Sequence, residues 1–467
     1  MKAHKNSLLI ILFLMSFFGY SQTQIFPANK VFNYGLMPMS KSSSDAQSNY
    51  NIWKNNFITP CNNGRYRVKF DTATQTVSEG IGYGMLLTAY AGDQAIFDGL
   101  WNYYKDYRNT NGVMNWKIDG CSTAIGLGGA TDAELDTAMA LIVADYQWGS
   151  DGTVNYKADA NTLISIIRNK EIELPSFTLK PGDAWGGSSI TNPSYFAPAY
   201  FRAYGVFTNN TPFWDQVIAK CYTIIDNNLT KNSAVGGLVS DWCQADGTYS
   251  GQSTGFGNQG KAYSYDAART PWRIAVDYLW YGTPEAKIYS KKASDFVRVT
   301  LRGTANIKDG YYQNGNLLGQ WHNSTFVGAF ATAAMGGDDQ PHLDASYIDL
   351  KNLNDSNSYF NQTLKTLYLF LLNGDFYLPA NATLKSQEFK KAPLEATFYP
   401  NPSSGNFTII APFESEIKII DVQGKILFET KMNSNSLQLN LKNQAAGIYM
   451  IHIKTEDSVE IKKLILN

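Results

Sequence analysis

Val77-Ser78-Glu79-Gly80-Ile81-Gly82-Tyr83-Gly84-Met85 sets one acid among small residues, and Met85, Leu86, Leu87 and Ala89 continue it as an apolar helical run. Ser78 is the expected N-cap, so Glu79 falls in the first turn of a helix. The glycines leave room for another molecule to approach the carboxyl group closely. A helix dipole favours the ionised form of such an acid. Holding a proton near neutral pH then requires burial or a negative neighbour. Taken alone, Glu79 reads first as a helix-capping acid, and its neighbours in space decide whether it does more.

Two further acidic stretches stand in Gly- or aromatic-rich settings: Gly128-Gly129-Ala130-Thr131-Asp132-Ala133-Glu134-Leu135-Asp136, and Tyr263-Ser264-Tyr265-Asp266-Ala267-Ala268-Arg269-Thr270-Pro271-Trp272-Arg273. Asp132 is placed one step before a helix, with Asp136 one turn later on the same face. Asp266 also precedes a helix, with Arg269 within one turn. Each aspartate has a plain alternative as an N-cap, and Glu134 and Asp136 read as surface or buried paired charges. An arginine beside Asp266 favours its ionised form, as a general base requires, and a negative Asp132 near Glu79 raises the proton affinity of Glu79, as a general acid requires. Two carboxyl groups tuned in opposite directions are what glycosidic cleavage uses. Between these stretches, residues 179–195 form a polar, small and aromatic loop that includes Trp185 and Tyr195 and suits a sugar-binding rim.

The composition fits this chemistry. The 467 residues suggest two domains, or a large one with an appendage. Aromatic residues make up 14%, with 29 Tyr, 25 Phe and 10 Trp, and exposed Trp and Tyr suit sugar rings. A formal net charge of −1 with mixed signs lacks the basic footprint of a nucleic-acid binder. The four cysteines are not in CxxC spacing and there are four histidines, which argues against a zinc site. A Cys221–Cys243 disulfide and buried free thiols are both open.

Residues 1–21 read as a secretory signal, with Lys2, His4 and Lys5 before the apolar run Leu8-Leu9-Ile10-Ile11-Leu12-Phe13-Leu14-Met15 and Ser21 at the cleavage end. That run is short for a membrane span, and no second run of spanning length follows it. From about residue 40 to 377, roughly twelve candidate helices start near Asp45, Ser78, Gln94, Asp132, Ala158, Ser194, Pro212, Asp266, Pro284, Ser324, Pro341 and Ser356. This number in one block suggests paired helices closed into a toroid, although no sequence repeat marks them. Residues 378–395 read as a linker. Residues 396–467 carry short strand-like runs at Phe407-Thr408-Ile409-Ile410, Ile417-Lys418-Ile419-Ile420, Lys425-Ile426-Leu427-Phe428 and Ile448-Tyr449-Met450-Ile451-His452-Ile453. They predict a small all-β sandwich of perhaps seven strands, with no catalytic cluster.

On these motifs the chain resembles glycoside hydrolase family 8, particularly its bacterial endoglucanase-like members. Ser78-Glu79-Gly80-Ile81-Gly82-Tyr83-Gly84 resembles the family's general-acid segment, residues 130–148 its signature, and residues 179–199 and 265–273 also match, within a likeness spanning roughly 27–377. The signature departs at Glu134, where the family usually has Asp, and at Thr137, where it has Ile or Met. The resemblance implies an (α/α)6 toroid crossed by a cleft, and an inverting mechanism with its carboxyl groups about 6.5–9.5 Å apart. It implies Glu79 as general acid, Asp266 as general base, Asp132 binding and distorting the sugar next to the scissile bond, Tyr195 holding the attacking water and Arg269 orienting Asp266. It also implies Trp116 and Trp185 as stacking platforms, with Tyr359 a further candidate, and chemistry that needs no metal or organic cofactor.

The tail resembles the C-terminal sorting domain of type IX secretion in Bacteroidetes, on Phe398-Tyr399-Pro400-Asn401-Pro402, Asp421-Val422-Gln423-Gly424-Lys425 and Ala446-Gly447-Ile448-Tyr449. That implies Sec export, passage across the outer membrane by the type IX machinery, and removal of the tail, leaving a secreted or cell-surface protein with no membrane span. A carbohydrate-binding module fits less well, because the tail has no Trp. The expected activity is endo-hydrolysis of β-1,4-linked glucan, cellulose or mixed-linkage, with β-1,4-xylanase next and chitosanase third. The alternative from another class is a non-catalytic glycan-binding surface protein, which loss of Glu79 or Asp266 would mark. Both residues are present.

Overall fold

The computed structural model describes residues 24–249, 259–383, 396–455 and 459–467. The expected signal sequence lies outside the described residues. The chain divides into two compact units, with the division between residues 383 and 384.

The first unit contains twelve α-helices among the described residues: α1 (Ser43–Phe57), α2 (Ser78–Ala91), α3 (Gln94–Asp106), α4 (Thr131–Trp148), α5 (Tyr156–Lys170), α6 (Pro198–Phe207), α7 (Thr211–Lys231), α8 (Thr270–Tyr281), α9 (Pro284–Asp295), α10 (Ser324–Ala334), α11 (Gln340–Asn352) and α12 (Tyr359–Asn373). The even-numbered helices pack in a ring, α2 on α4, α4 on α6, α6 on α8, α8 on α10, α10 on α12 and α12 back on α2. Each odd-numbered helix packs outside an even one, with α1 against α12 closing the outer layer. This is the (α/α)6 toroid.

Residue pattern decides which helix is inner. α2 and α4 are apolar or small around most of their circumference, and nearly every residue on them is buried. A helix of that kind has no solvent face and belongs inside. α5 and α9 bury one stripe each and carry Lys, Arg, Asp and Glu on the rest, as outer helices do.

The glycines of the 78–85 stretch act differently from the expectation. They admit neighbouring helices rather than a ligand. A Cβ on Gly82 would meet the Ala133 carbonyl at 2.9 Å, and one on Gly80 would meet the Tyr359 hydroxyl at 2.9 Å. The missing side chains draw α4 and α12 against α2. Ser78 is also not the cap. Val77 holds that position in extended conformation, and Ser78 is the first helical residue, its backbone N–H donating to the Trp116 carbonyl at 2.9 Å.

Two helix starts are displaced for a related reason. The residues near Ser194 and Asp266 form 3-10 turns, Pro193–Tyr195 and Ala267–Arg269, before α6 and α8 begin. Pro198 and Pro271 fit the first helical turn, where their missing N–H costs nothing. Residues 384–395 of the expected linker lie outside the described residues, and its first part, 378–383, is described. Ala380–Ala382 is a 3-10 turn, and Asn381 donates to the Ile142 carbonyl at 3.0 Å and to Asp145 at 2.9 Å.

Cys61 and Cys121 form a disulfide across a sequence separation of 60, whereas Cys221 and Cys243 are buried free thiols. Cys221 belongs to the buried face of α7, and Cys243 is held in a loop by paired backbone bonds to Thr191. The Cys221–Cys243 pairing considered from sequence is therefore not made.

The second unit has seven strands among its described residues. One antiparallel sheet orders Thr397–Tyr399, Asn406–Ile410 and Ser436–Asn440, and the other orders Ile426–Lys431, Glu416–Asp421, Gly447–Lys454 and Val459–Leu466. Alternate residues Phe407 and Ile409 from the first sheet join Ile417, Ile419, Ile451 and Ile453 from the second in one apolar core.

Candidate active site

Glu79 and Asp132 each sit second in an inner helix, α2 and α4, and Asp266 sits in the turn before α8. Ring closure aims all three at one guanidinium. Arg269, 1% exposed, places Nη1 at 2.7 Å from both Glu79 Oε2 and Asp132 Oδ2, and Nη2 at 2.7 Å from Asp266 Oδ1. Nη2 also donates to Ser194 Oγ at 3.0 Å. The guanidinium is a rigid planar fork, so the bonded oxygens of Glu79 and Asp266 lie within about 8 Å of each other.

These groups face a cleft of about 540 Å³ whose lining includes Glu79, Asp132, Asp266, Trp116, Tyr195, Tyr265 and Phe360. A larger cavity of about 740 Å³ lies between the outer helices α7 and α9. It touches none of the three carboxylates, and its Arg202 is already paired with Asp277 at 2.9 Å.

The three carboxyl groups are not equivalent. Burial pushes Glu79 up to about 7. Arg269 and the Tyr359 hydroxyl, which donates to Oε1 at 2.9 Å, resist that rise, while Asp132 and Asp266 add to it. Asp266 also lies above the usual aspartate range, chiefly through burial, although 34% of its side chain remains open. Arg269 pulls it down, Asp132 pushes it up, and hydrogen bonds from Trp242 and Asn192 lower it. The Trp242 bond is Nε1 to Oδ2 at 3.1 Å. Burial disfavours the charge of Arg269, yet Tyr83, Asp132, Glu79 and Asp266 together hold its proton more firmly than usual.

Tyr195 is 9% exposed, with its ring 5.3 Å from the Arg269 guanidinium. Trp116, 43% exposed, lines the cleft and covers Gly126, where a Cβ would come within 2.5 Å of the indole. Trp185, 44% exposed, stacks on Trp242 with centroids 5.8 Å apart. Tyr359 is placed differently from the other aromatic candidates. At 1% exposure it offers no ring face to a sugar, and its hydroxyl supports Glu79.

Sequence reasoning missed Trp242 and Asp241. Trp242 joins Trp185 to Asp266, and Tyr195 packs edge-on against it. Asp241 accepts the backbone N–H groups of Ser264 and Ala267 at 2.9 and 2.8 Å, which fixes the turn that carries Asp266. Glu134 and Asp136 are both fully buried. Asp136 forms a two-point ion pair with Arg273 at 2.5 and 2.7 Å, and Glu134 accepts from the Tyr104 hydroxyl at 3.1 Å.

A closed double ring of helices with three carboxylates converging on one arginine in an open cleft defines an (α/α)6 toroid with a carboxylate-lined site. The chain belongs to glycosyl hydrolases family 8, which residues 25–374 match. It is therefore a glycoside hydrolase. Residues 397–467 match the secretion system C-terminal sorting domain. The chain is 41% identical over 364 residues to Endoglucanase 2 of Ruminiclostridium josui, covering 75% of this chain and 76% of that one. It is 41% identical over 367 residues to Endoglucanase A of Acetivibrio thermocellus, covering 76% and 75%. Among solved structures, the beta-1,3-1,4-glucanase from Paenibacillus sp. X4 superimposes with a TM-score of 0.72 at 29% identity, over 76% of this chain and 99% of that one. A cold-adapted family 8 xylanase superimposes with a TM-score of 0.65 at 23% identity, over 75% and 98%, a likeness of fold.

Proposed function

We propose that this glycoside hydrolase cuts internal β-1,4 bonds of glucan, cellulose or mixed-linkage, with inversion at the anomeric carbon. The observation that carries this reading is the seating of Glu79 and Asp266 on the two different terminal nitrogens of Arg269, at one open cleft. The upper bound of about 8 Å between their oxygens reaches into the separation range of an inverting pair, and inversion itself is what the resemblance to the family implies. The endoglucanases named above support glucan as the substrate.

Glu79 is the general acid. Raised to about 7, it holds its proton in mildly acidic solution and delivers it to the glycosidic oxygen as the C1–O bond breaks. Asp266 is the general base, taking a proton from the water whose oxygen bonds to C1. Tyr195, kept neutral because burial raises its hydroxyl well above the usual value, holds that water. Asp132 binds and distorts the sugar next to the scissile bond. Glu79 ends without its proton and Asp266 with one, and exchange with solvent resets both. Trp116 and Trp185 stack sugar rings along the cleft. Arg269 fixes the spacing of acid and base, and Tyr359 holds Glu79 in place. The sorting domain supports export through the type IX machinery, so the enzyme acts outside the cell or at its surface.

Reducing-sugar release from carboxymethyl-cellulose, barley mixed-linkage glucan, xylan and chitosan tests the reading. Release from the glucans is the expected result. Release from xylan alone would retain the residues and replace the substrate. Silence on all four with the fold verified would overturn the enzymatic reading.

A further inference from the structure

Trp321 has no place in the mechanism above, yet it is 66% exposed, more than either Trp116 or Trp185. Leaving an indole in water forgoes one of the largest burial gains available to a side chain, so an exposed indole on a firmly held loop calls for an occupant. The loop is firmly held. Asp309 Oδ1 accepts the backbone N–H groups of Gln320 and Trp321 at 2.8 and 2.7 Å. His322 contacts the Ile307 carbonyl at 2.9 Å and Asp349 at 3.1 Å.

The same Asp309 reaches the cleft. Its Oδ2 accepts from the Tyr265 hydroxyl at 2.8 Å, and Asn323 donates to that hydroxyl at 3.0 Å. Tyr265 lines the cleft and directly precedes Asp266. Adding the two bonds to the width of the carboxylate puts the Trp321 backbone nitrogen within about 8 Å of the Tyr265 hydroxyl. One carboxylate therefore locks the Trp321 loop to the wall of the cleft beside the base.

From this geometry we propose that Trp321 is a sugar platform outside the catalytic cleft, on its Asp266 side, and that it takes a residue of a long β-1,4-linked chain whose scissile bond lies at Glu79. The C–H-rich face of a β-linked pyranose matches an indole face, and the loop that carries this indole is tied to a wall that already belongs to the site. Its contribution is to chain-length preference, because a short oligosaccharide that fills the cleft does not reach it. The inference rests on the glycanase reading of the cleft.

The test compares Trp321→Ala and Trp321→Phe with the wild type on cello- and xylo-oligosaccharides of three to eight units. For each, kcat/KM on the longest substrate is divided by kcat/KM on the shortest one cleaved. The expected result is a fall in that ratio of about tenfold for Trp321→Ala, a loss of about 1.4 kcal/mol of binding, mostly in KM, with much of it restored in Trp321→Phe. A merely structural role would lower both values together and leave the ratio in place, which overturns the inference alone. A wild type that cleaves neither series overturns the glycanase reading and the inference with it.

Discussion

Replacing Trp242 by Phe removes a single polar contact from the proposed base and leaves an aromatic ring between Trp185 and Tyr195. The lost contact is the indole N–H to Asp266 Oδ2, 3.1 Å. A hydrogen bond to a charged acceptor contributes about 1.5–3 kcal/mol when sealed from water. Asp266 keeps 34% of its side-chain surface open, so water replaces part of the loss. A net loss of about 1 kcal/mol moves the carboxyl upward by a little under one pH unit, at about 1.36 kcal/mol per unit. The direction follows from the chemistry, because the N–H favours the carboxylate and its removal favours the acid. Since a base must be ionised, the acid limb of the kcat/KM profile shifts to higher pH in the variant. The alkaline limb stays near 7, because the Trp242 N–H is committed to Asp266, whereas that limb is set by Glu79, the group raised to about 7. The assay is kcat/KM on soluble mixed-linkage glucan across the pH range that brackets both limbs. An acid limb that stays in place while the plateau falls would show that Trp242 acts only by packing, and would refute the reasoning.

Glu79→Gln and Asp266→Asn should each lower kcat by at least about 10²–10⁴-fold while oligosaccharide binding persists, read by turnover and by calorimetric titration; a fully active variant would move the role to another group. Tyr359→Phe removes a donor that holds Glu79 down, so the alkaline limb should rise above its wild-type position near 7, and an unmoved limb would mean the proton donor is elsewhere. Paired Cys61→Ser and Cys121→Ser substitutions open a link spanning 60 residues and should cost about 2–4 kcal/mol of stability. A lower Tm in the variant checks this, and an unchanged Tm would show the bridge to be dispensable.

Parts of this molecule were legible in residue types because the physics there is local. The inner and outer helices differ by how much of their surface is apolar, so α2 and α4 declare their burial in their own residues. The two β-sheets of the tail follow the alternation around Phe407, Ile417 and Ile451. Ser78 failed as a cap because cap preference is weaker than the strand pairing of Val77 with Lys117, which sets where extended backbone stops. The cysteine pairing was not legible, since spacing says nothing of which loops meet. Cys61 and Cys121 lie in separate strand connections that the fold brings together. Trp242 and Asp241 were missed for the same reason. They reach the site through the backbone pairing of Cys243 with Thr191, some fifty residues earlier in the chain, and no local motif announces it.

On the proposed mechanism, one arginine serves two carboxyl groups with opposite tasks. Arg269 gives Glu79 and Asp266 one 2.7 Å bond each, so its charge by itself separates them little. The difference comes from what else reaches each group. Glu79 has 18% of its side chain exposed and, among the described residues, the single neutral donor Tyr359, while Asp132 raises Glu79 and Asp266 alike. Asp266 has 34% exposed, with the Trp242 and Asn192 donors on its side. Water and neutral donors favour the carboxylate, whereas burial favours the acid. The proposed mechanism therefore places the proton on Glu79 before substrate arrives. The packing of α2 against α4 at Gly82 and against Tyr359 at Gly80 is what presses Glu79 into the drier position. A methyl group at either glycine would act on the acid through the helix rather than by touching substrate.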